Sequence, residues 1–176
     1  VISAPYLTTQ RLLLRPHARS DFAAMCDMWA DPAVVRYIGG RPSSRSETWA
    51  RLLRYGGLWP LLGYGFWAIE AREDGRFLGD IGVMEAMREI EPALGAPEVG
   101  WALAQHAHGR GLALEALGAV LAWADADASL ARTACLIEPD NAASVRIALA
   151  AGFVHDRTAT MGAATLLVLL RDRPDR

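Results

Sequence analysis

Two short stretches carry residue types and spacings that could do chemistry. The first is His106-Ala107-His108-Gly109-Arg110-Gly111-Leu112-Ala113, which follows a run of strand character and precedes one of helical spacing. Two glycines let the main chain turn tightly and approach a ligand closely, and the exposed N–H groups of a helix's first turn form an anion site. A phosphate-bearing ligand is the direct inference, although two glycines that merely join a strand to a helix account for the same residues. The lysine-bearing P-loop pattern is absent, and Leu114 stands where G-x-G-x-x-G requires its third glycine, which weakens nucleoside-triphosphate and dinucleotide readings. The second stretch, Glu138-Pro139-Asp140-Asn141-Ala142-Ala143-Ser144, leads on to Gly152-Phe153. Asn141 is a good helix N-cap and Ser144 falls in the first turn, a local role that explains Asn141 fully and leaves Ser144 merely tolerated.

Other constellations carry less. His106 and His108 could face one way on an extended chain, but zinc needs further ligands and the flanking residues offer neither cysteine nor carboxylate at familiar spacing, so no metal site is expected. No G-x-S-x-G elbow exists for a serine hydrolase. Trp29, Trp49, Trp67 and Trp123 lie on apolar faces and read as core. Trp59 and Tyr64 fall in the Gly/Pro-punctuated run Gly56 to Gly65, which reads as a loop, where they could line an acceptor pocket or simply anchor the loop. Arg36, Arg51 and Arg54 read as solvated.

Stepping these residues into position takes a chain of 176 residues, the size of one domain, with Arg171 to Arg176 as a frayed tail. A formal charge of -2 gives no electrostatic footprint for nucleic acid. All 18 positive residues are arginine, from which no function follows. Cys26 and Cys135 are far apart in apolar contexts and read as reduced, buried thiols. No apolar stretch has the ~20 residues of a membrane span, and the basic-then-apolar layout of a signal peptide is missing. The expectation is a cytoplasmic protein with no membrane partner.

Periodicity predicts a strand over Gln10 to Pro16, a helix capped by Ser20 and ending near Asp31-Pro32, and a helix from about Ser46 to Tyr55. Phe66 to Glu70 and Phe77 to Glu85 form a hairpin, and Glu98 to Leu103 is the next strand. A long helix opened by Gly109, a strand over Arg132 to Ile137, a helix over Asn141 to Ala151, and closing strands Phe153 to Thr160 and Thr165 to Leu170 complete an α/β chain in the order βααβββαβαββ.

Together these stretches resemble the GNAT superfamily of N-acyltransferases, whose pyrophosphate loop reads Q/R-x-x-G-x-G/A and whose later helix carries N-x-x-S followed by Gly-Phe. The likeness is greatest to the RimJ/RimL branch: Glu98-Val-Gly-Trp-Ala-Leu103, His108-Gly-Arg-Gly-Leu-Ala-Leu-Glu-Ala116, Asn141 with Ser144, and the opening Thr9-Gln-Arg-Leu-Leu-Leu-Arg-Pro16 all match its pattern. The element order agrees along nearly the whole chain. His106 replaces the usual Gln or Arg, His108 replaces an aromatic, and Ala148 stands where many members carry a tyrosine acid.

The resemblance implies a mixed, strongly twisted sheet in which strands Glu98 to Leu103 and Arg132 to Ile137 splay apart to admit acetyl-CoA. It implies main-chain contacts to the cofactor near Trp101 and Leu103, a phosphate cradle over His108, Gly109, Arg110, Gly111, Leu112 and Ala113, and further contacts from Asn141 and Ser144. It passes the role of the missing tyrosine to Ser144. An alkylammonium must lose a proton before attack, and Glu98 is the candidate acceptor, unless it is an ordinary strand-end carboxylate. The function implied is acetyl transfer from acetyl-CoA to a primary amine, a small molecule or a protein N-terminus, by a monomer or homodimer; a catalytically silent acyl-CoA-binding domain is the alternative.

Overall fold

The structure is a computed structural model, and it describes residues 2–127 and 129–175. Eight strands form one sheet: β1 (Leu7–Thr8), β2 (Leu12–Arg15), β3 (Phe66–Ala71), β4 (Phe77–Met84), β5 (Glu98–Leu103), β6 (Arg132–Ile137), β7 (Val154–Met161) and β8 (Ala164–Asp172). The helices are α1 (Phe22–Ala30), α2 (Pro32–Val35), α3 (Arg45–Leu62), α4 (Leu112–Ala126) and α5 (Ala142–Ala150). The α/β architecture, a mixed sheet flanked by helices, is the expected one, with the two-residue β1 and the single-turn α2 added to the expected order.

Strand order is β1-β2-β3-β4-β5-β6-β8-β7. Neighbours are antiparallel except β5 and β6, which α4 joins by a crossover and which therefore run parallel. That parallel pair meets only at Glu98 and Ala134, where the Ala134 N–H also donates to the Pro97 carbonyl at 2.9 Å. Beyond this rung the strands part toward Leu103 and Ile137.

Alternate strand residues feed two cores. Ile81 and Val83 of β4 pack with Leu117, Val120 and Leu121 of α4, whereas Met84 packs with Met25 and Trp29 of α1 and Tyr55 of α3. Burial of these faces, at ~1.5–3 kcal/mol per large apolar side chain, fixes the helices on the sheet.

Three local expectations are corrected. Ser20 does not cap α1; the Asp21 carboxylate accepts the Ala18 N–H at 2.8 Å and closes a 3₁₀ turn that leads into the helix. The run Gly56 to Leu62 is helix rather than loop. α3 begins at a Ser44–Glu47 capping box and continues through Gly56, Gly57 and Pro60 to Gly63, because Leu52, Tyr55, Leu58 and Trp59 fall on one buried face. An added Cβ at Gly56 or Gly57 would meet nothing, so those glycines cost the helix only about 1 kcal/mol each in propensity, less than the face returns. Finally, the chain end is not frayed from Arg171: Arg171 and Asp172 belong to β8, and the Arg171 guanidinium grips the Asp125 carboxylate of α4 at 2.7 and 2.8 Å.

Candidate active site

The turn before α4 places two left-handed glycines in close succession, Gly109 at φ 70° and Gly111 at φ 74°. The first bond of α4 runs from the Glu115 N–H to the Gly111 carbonyl at 3.2 Å, which leaves the N–H groups of Leu112, Ala113 and Leu114 outside the helical ladder. A Cβ at Gly109 would meet nothing within 4 Å, and one at Gly111 would meet only Arg11 Nη2 at 3.7 Å, so the space over these glycines is open to a ligand. The combination of free N–H groups, positive dipole end and open approach suits an anion.

The turn is tied down from behind. The Glu115 carboxylate accepts from Thr9 Oγ1 at 2.6 Å and from the Arg11 main chain at 2.8 Å, while Arg11 Nη1 donates to the Arg110 carbonyl at 2.9 Å. Burial pushes the Glu115 carboxyl upward, but the hydrogen bonds from Thr9 and Arg11 outweigh it and hold the group below its ordinary value. On the strand side, the His108 ring donates from Nε2 to the Leu103 carbonyl at 2.7 Å and fastens the turn to the end of β5.

Where β5 and β6 part, a cleft of about 480 Å³ opens. One wall is β5 from Glu98 to Ala102, β6 from Cys135 to Ile137 and the start of α5; the other is Trp29, Arg51, Arg54 and Tyr55 of α1 and α3 together with residues 36–40. Asn141 caps α5, its Oδ1 accepting the Ser144 N–H at 3.2 Å, so the Ser144 side chain is free to face the cleft that both residues line. Glu98 is 6% exposed and borders the cleft. It is not a solvated strand-end carboxylate: Arg88 Nη2 donates to Oε1 at 2.8 Å and Arg88 Nε to Oε2, a two-point grip. Cys135, also in the lining, has its thiol pushed well up, first by burial and then by the charge of Glu98, which keeps it protonated.

A family model for the acetyltransferase (GNAT) domain matches residues 11–154. The chain belongs to the GNAT acetyltransferases. A GNAT-family acetyltransferase structure from Bordetella pertussis is 30% identical with a TM-score of 0.83, covering 96% of this chain and 99% of that one. An acetyltransferase from Agrobacterium tumefaciens is 32% identical at TM-score 0.83, covering 97% and 96%. RimL, a ribosomal α-N-protein acetyltransferase in complex with coenzyme A, shares the fold at 16% identity and TM-score 0.76, over 96% of this chain and 98% of that one.

Within this GNAT acetyltransferase, Trp101 lines the cleft, and Leu103 closes the diverging end of β5 beneath His108. Trp59 and Tyr64 do not line it. Because Gly56 to Leu62 is helical, Trp59 turns inward to 4% exposure, donates from Nε1 to the Phe66 carbonyl at 3.1 Å, and meets Trp67 and Trp123 edge-on at 4.7 and 5.5 Å. Tyr64 is likewise buried, its hydroxyl donating to Glu85. Ala148, in the place of the familiar tyrosine, is fully buried and outside the cleft lining. His106 and His108 gather no ligands: among the described residues no cluster of three or more His, Cys, Asp or Glu side chains could hold a metal. No helix of the described residues is long and apolar enough to cross a membrane.

The wall built by α1, α3 and residues 36–40 was not legible as such in the sequence. Arg51 and Arg54 are three positions apart on α3 and so share a face, a spacing visible in the sequence, but which way that face points depends on where β5 and β6 lie.

Proposed function

We propose that this acetyltransferase moves the acetyl group of acetyl-CoA to a primary amine by direct attack in a ternary complex. The observation that carries the reading is the single-rung junction of β5 and β6, with the open N-terminus of α4 beyond the strand end and the cleft alongside. Main-chain N–H groups of Leu112 to Leu114 would hold the pyrophosphate, with the Gly109 and Gly111 conformations allowing close approach and Arg110 adding charge. The acetyl thioester supplies an activated carbonyl. A β5 main-chain N–H near Trp101 would polarise that carbonyl as an oxyanion donor.

The proton flow is assigned to two side chains. Glu98 would accept the proton of the amine, through water, while Arg88 fixes the orientation of the carboxylate. Ser144 would donate a hydrogen bond to the departing thiolate, with Asn141 setting its position. The motif matches around Glu98, His108 and Asn141 support a RimJ/RimL-like assignment.

The reading is tested in two steps. Acetyl-CoA and CoA should each raise the melting temperature, since a ligand bound only to the native state stabilises it by RT ln(1 + [L]/Kd). Thiol release should then appear with an amine panel. No thermal shift and no calorimetric heat at saturating CoA would remove the phosphate cradle, whereas CoA binding without thiol release for any amine would leave a silent acyl-CoA-binding domain.

A further inference from the structure

The wall facing β5 and β6 has a one-sided charge. Arg36, Arg51 and Arg54 all line the cleft, and none is ion-paired with a carboxylate among the described residues. Arg88, the fourth arginine in the lining, is neutralised by Glu98. The remaining lining carboxylate, Glu138, belongs to the opposite wall, between β6 and α5.

Arg51 is held in place without any anion. Its guanidinium carbon lies 3.6 Å from the centre of the Trp29 ring. The Trp29 indole is itself fixed, because Nε1 donates at 2.9 Å to Asp80, a carboxylate of 0% exposure whose other oxygen meets His17 Nε2 at 2.7 Å. Stacking occupies the face of a guanidinium and leaves its in-plane N–H donors available, the arrangement in which arginine grips carboxylate or phosphate. The Arg51 Nε is buried with no hydrogen-bond partner and is closed off from the cleft, so the terminal nitrogens of the guanidinium are the donors that an anionic oxygen in the cleft would meet. Arg54 projects from the same face of α3, and Arg36 reaches the cleft from the segment after α2.

We infer that the acceptor amine carries an anionic group, a carboxylate or a phosphate, and that Arg51, assisted by Arg54 and Arg36, binds it. The inference rests on the acetyltransferase reading for the word acceptor, and on the arginine wall for the charge. Polyamines and other polycations are disfavoured, since like charges set against three unpaired guanidinium groups repel. The same field disfavours the protonated form of an amine held near it, which favours the nucleophilic form.

The test uses matched amines on the intact protein: glycine against glycinamide, an acidic dipeptide against its amide, and phosphoethanolamine against ethanolamine, with spermidine as the polycation. Affinity for the protein–CoA complex is measured by calorimetry and turnover by thiol release. In at least one pair the anionic member should bind and react about tenfold or more better than its neutral partner, the scale of one charge-assisted hydrogen bond, and which pair does so separates carboxylate from phosphate. Arg51→Gln and, independently, the exposed Arg54→Gln should shrink that preference while leaving the KM for acetyl-CoA unchanged. Equal or better binding of neutral or cationic members, no binding of any member, or an undiminished preference in both variants would overturn the inference. Selective anionic binding without thiol release would instead sink the acetyl-transfer reading and leave the arginine site standing.

Discussion

The Glu115 carboxylate takes both the main-chain N–H of Arg11, at 2.8 Å, and its Nε, at 2.6 Å, and so binds the first turn of α4 to the strand that starts at Leu12. Arg11 in turn donates to the Arg110 carbonyl, so one ion pair fixes the height of the glycine turn against the sheet. Two motifs far apart in the sequence, Thr9-Gln-Arg and Leu114-Glu-Ala, are thereby one device.

Glu115→Ala should lower CoA affinity several-fold and reduce stability by about 1 kcal/mol, the modest figure suited to an ion pair whose arginine is half exposed. The pH dependence has a definite sign. Because the folded-state value lies below the ordinary 4.5, the contribution of Glu115 is complete above pH 4.5 and is lost as pH falls through the folded-state value. Urea midpoints at neutral and at acid pH check this: the gap between wild type and Glu115→Gln should narrow on acidification, and a constant gap would contradict the assignment.

Gly111→Val should abolish measurable CoA binding with the fold retained. The expected damage comes from φ 74° and from the space a phosphate would take, since the nearest atom to a Cβ, Arg11 Nη2 at 3.7 Å, is an ordinary contact. Gly118→Ala, in the exposed middle of the same helix where a Cβ meets nothing, is the control. It should stabilise by up to about 1 kcal/mol and leave CoA binding as it was. Calorimetry on both variants separates a general effect on α4 from one on the cradle.

Ser144→Ala should lower kcat by no more than about 10²-fold, because a thiol is already a fair leaving group and the hydroxyl acts as a hydrogen-bond donor. Its CoA affinity and stability should stay near wild type, since the capping bond uses the Ser144 N–H and not its hydroxyl. Asn141→Ala, by contrast, removes the cap and should cost about 1 kcal/mol. An unchanged kcat in Ser144→Ala would remove the side chain from the chemistry.

For Glu98 the question is whether the carboxylate accepts a proton or only anchors Arg88. Glu98→Gln alone is ambiguous, as it also leaves the partly exposed Arg88 guanidinium without its counter-charge. The double variant Glu98→Gln with Arg88→Met resolves it. A kcat that stays low in the double variant supports the proton acceptor, and recovery toward wild type assigns Glu98 to anchoring.

Much of this was legible in the residues. Strands β3 to β6 follow from short apolar runs bounded by turn signals, and the Asn141 cap and the glycine turn from residue types whose backbone demands are local. The α3 boundary was not, because Gly56, Gly57 and Pro60 read as breakers until the buried faces of Tyr55, Leu58 and Trp59 are weighed against them. Ser20 and Asp21 are equally good caps by residue type, yet neither side chain caps α1, and the Asp21 carboxylate is taken up by the Ala18 N–H and by Arg15, both at 2.8 Å. Arg54 is exposed as its type suggests and Arg51 only half so, and nothing local reveals that both border a cleft.

The one-rung junction at Glu98 and Ala134 has a consequence for the edges of the sheet. A sheet normally has two edges, each a template on which a foreign strand can add. This sheet has four, but the extra two, along β5 and β6, confront each other inside a wedge roofed by α4, which packs on β5 and against α5. Their main-chain groups face each other across the cleft, within reach of a slender, amide-bearing ligand. At one outer rim, β1 is only two residues long, too short to seed a neighbour. The split thus turns two edges toward the cleft, and of the two outer edges the eight-residue β7 is the one long enough to take a partner strand.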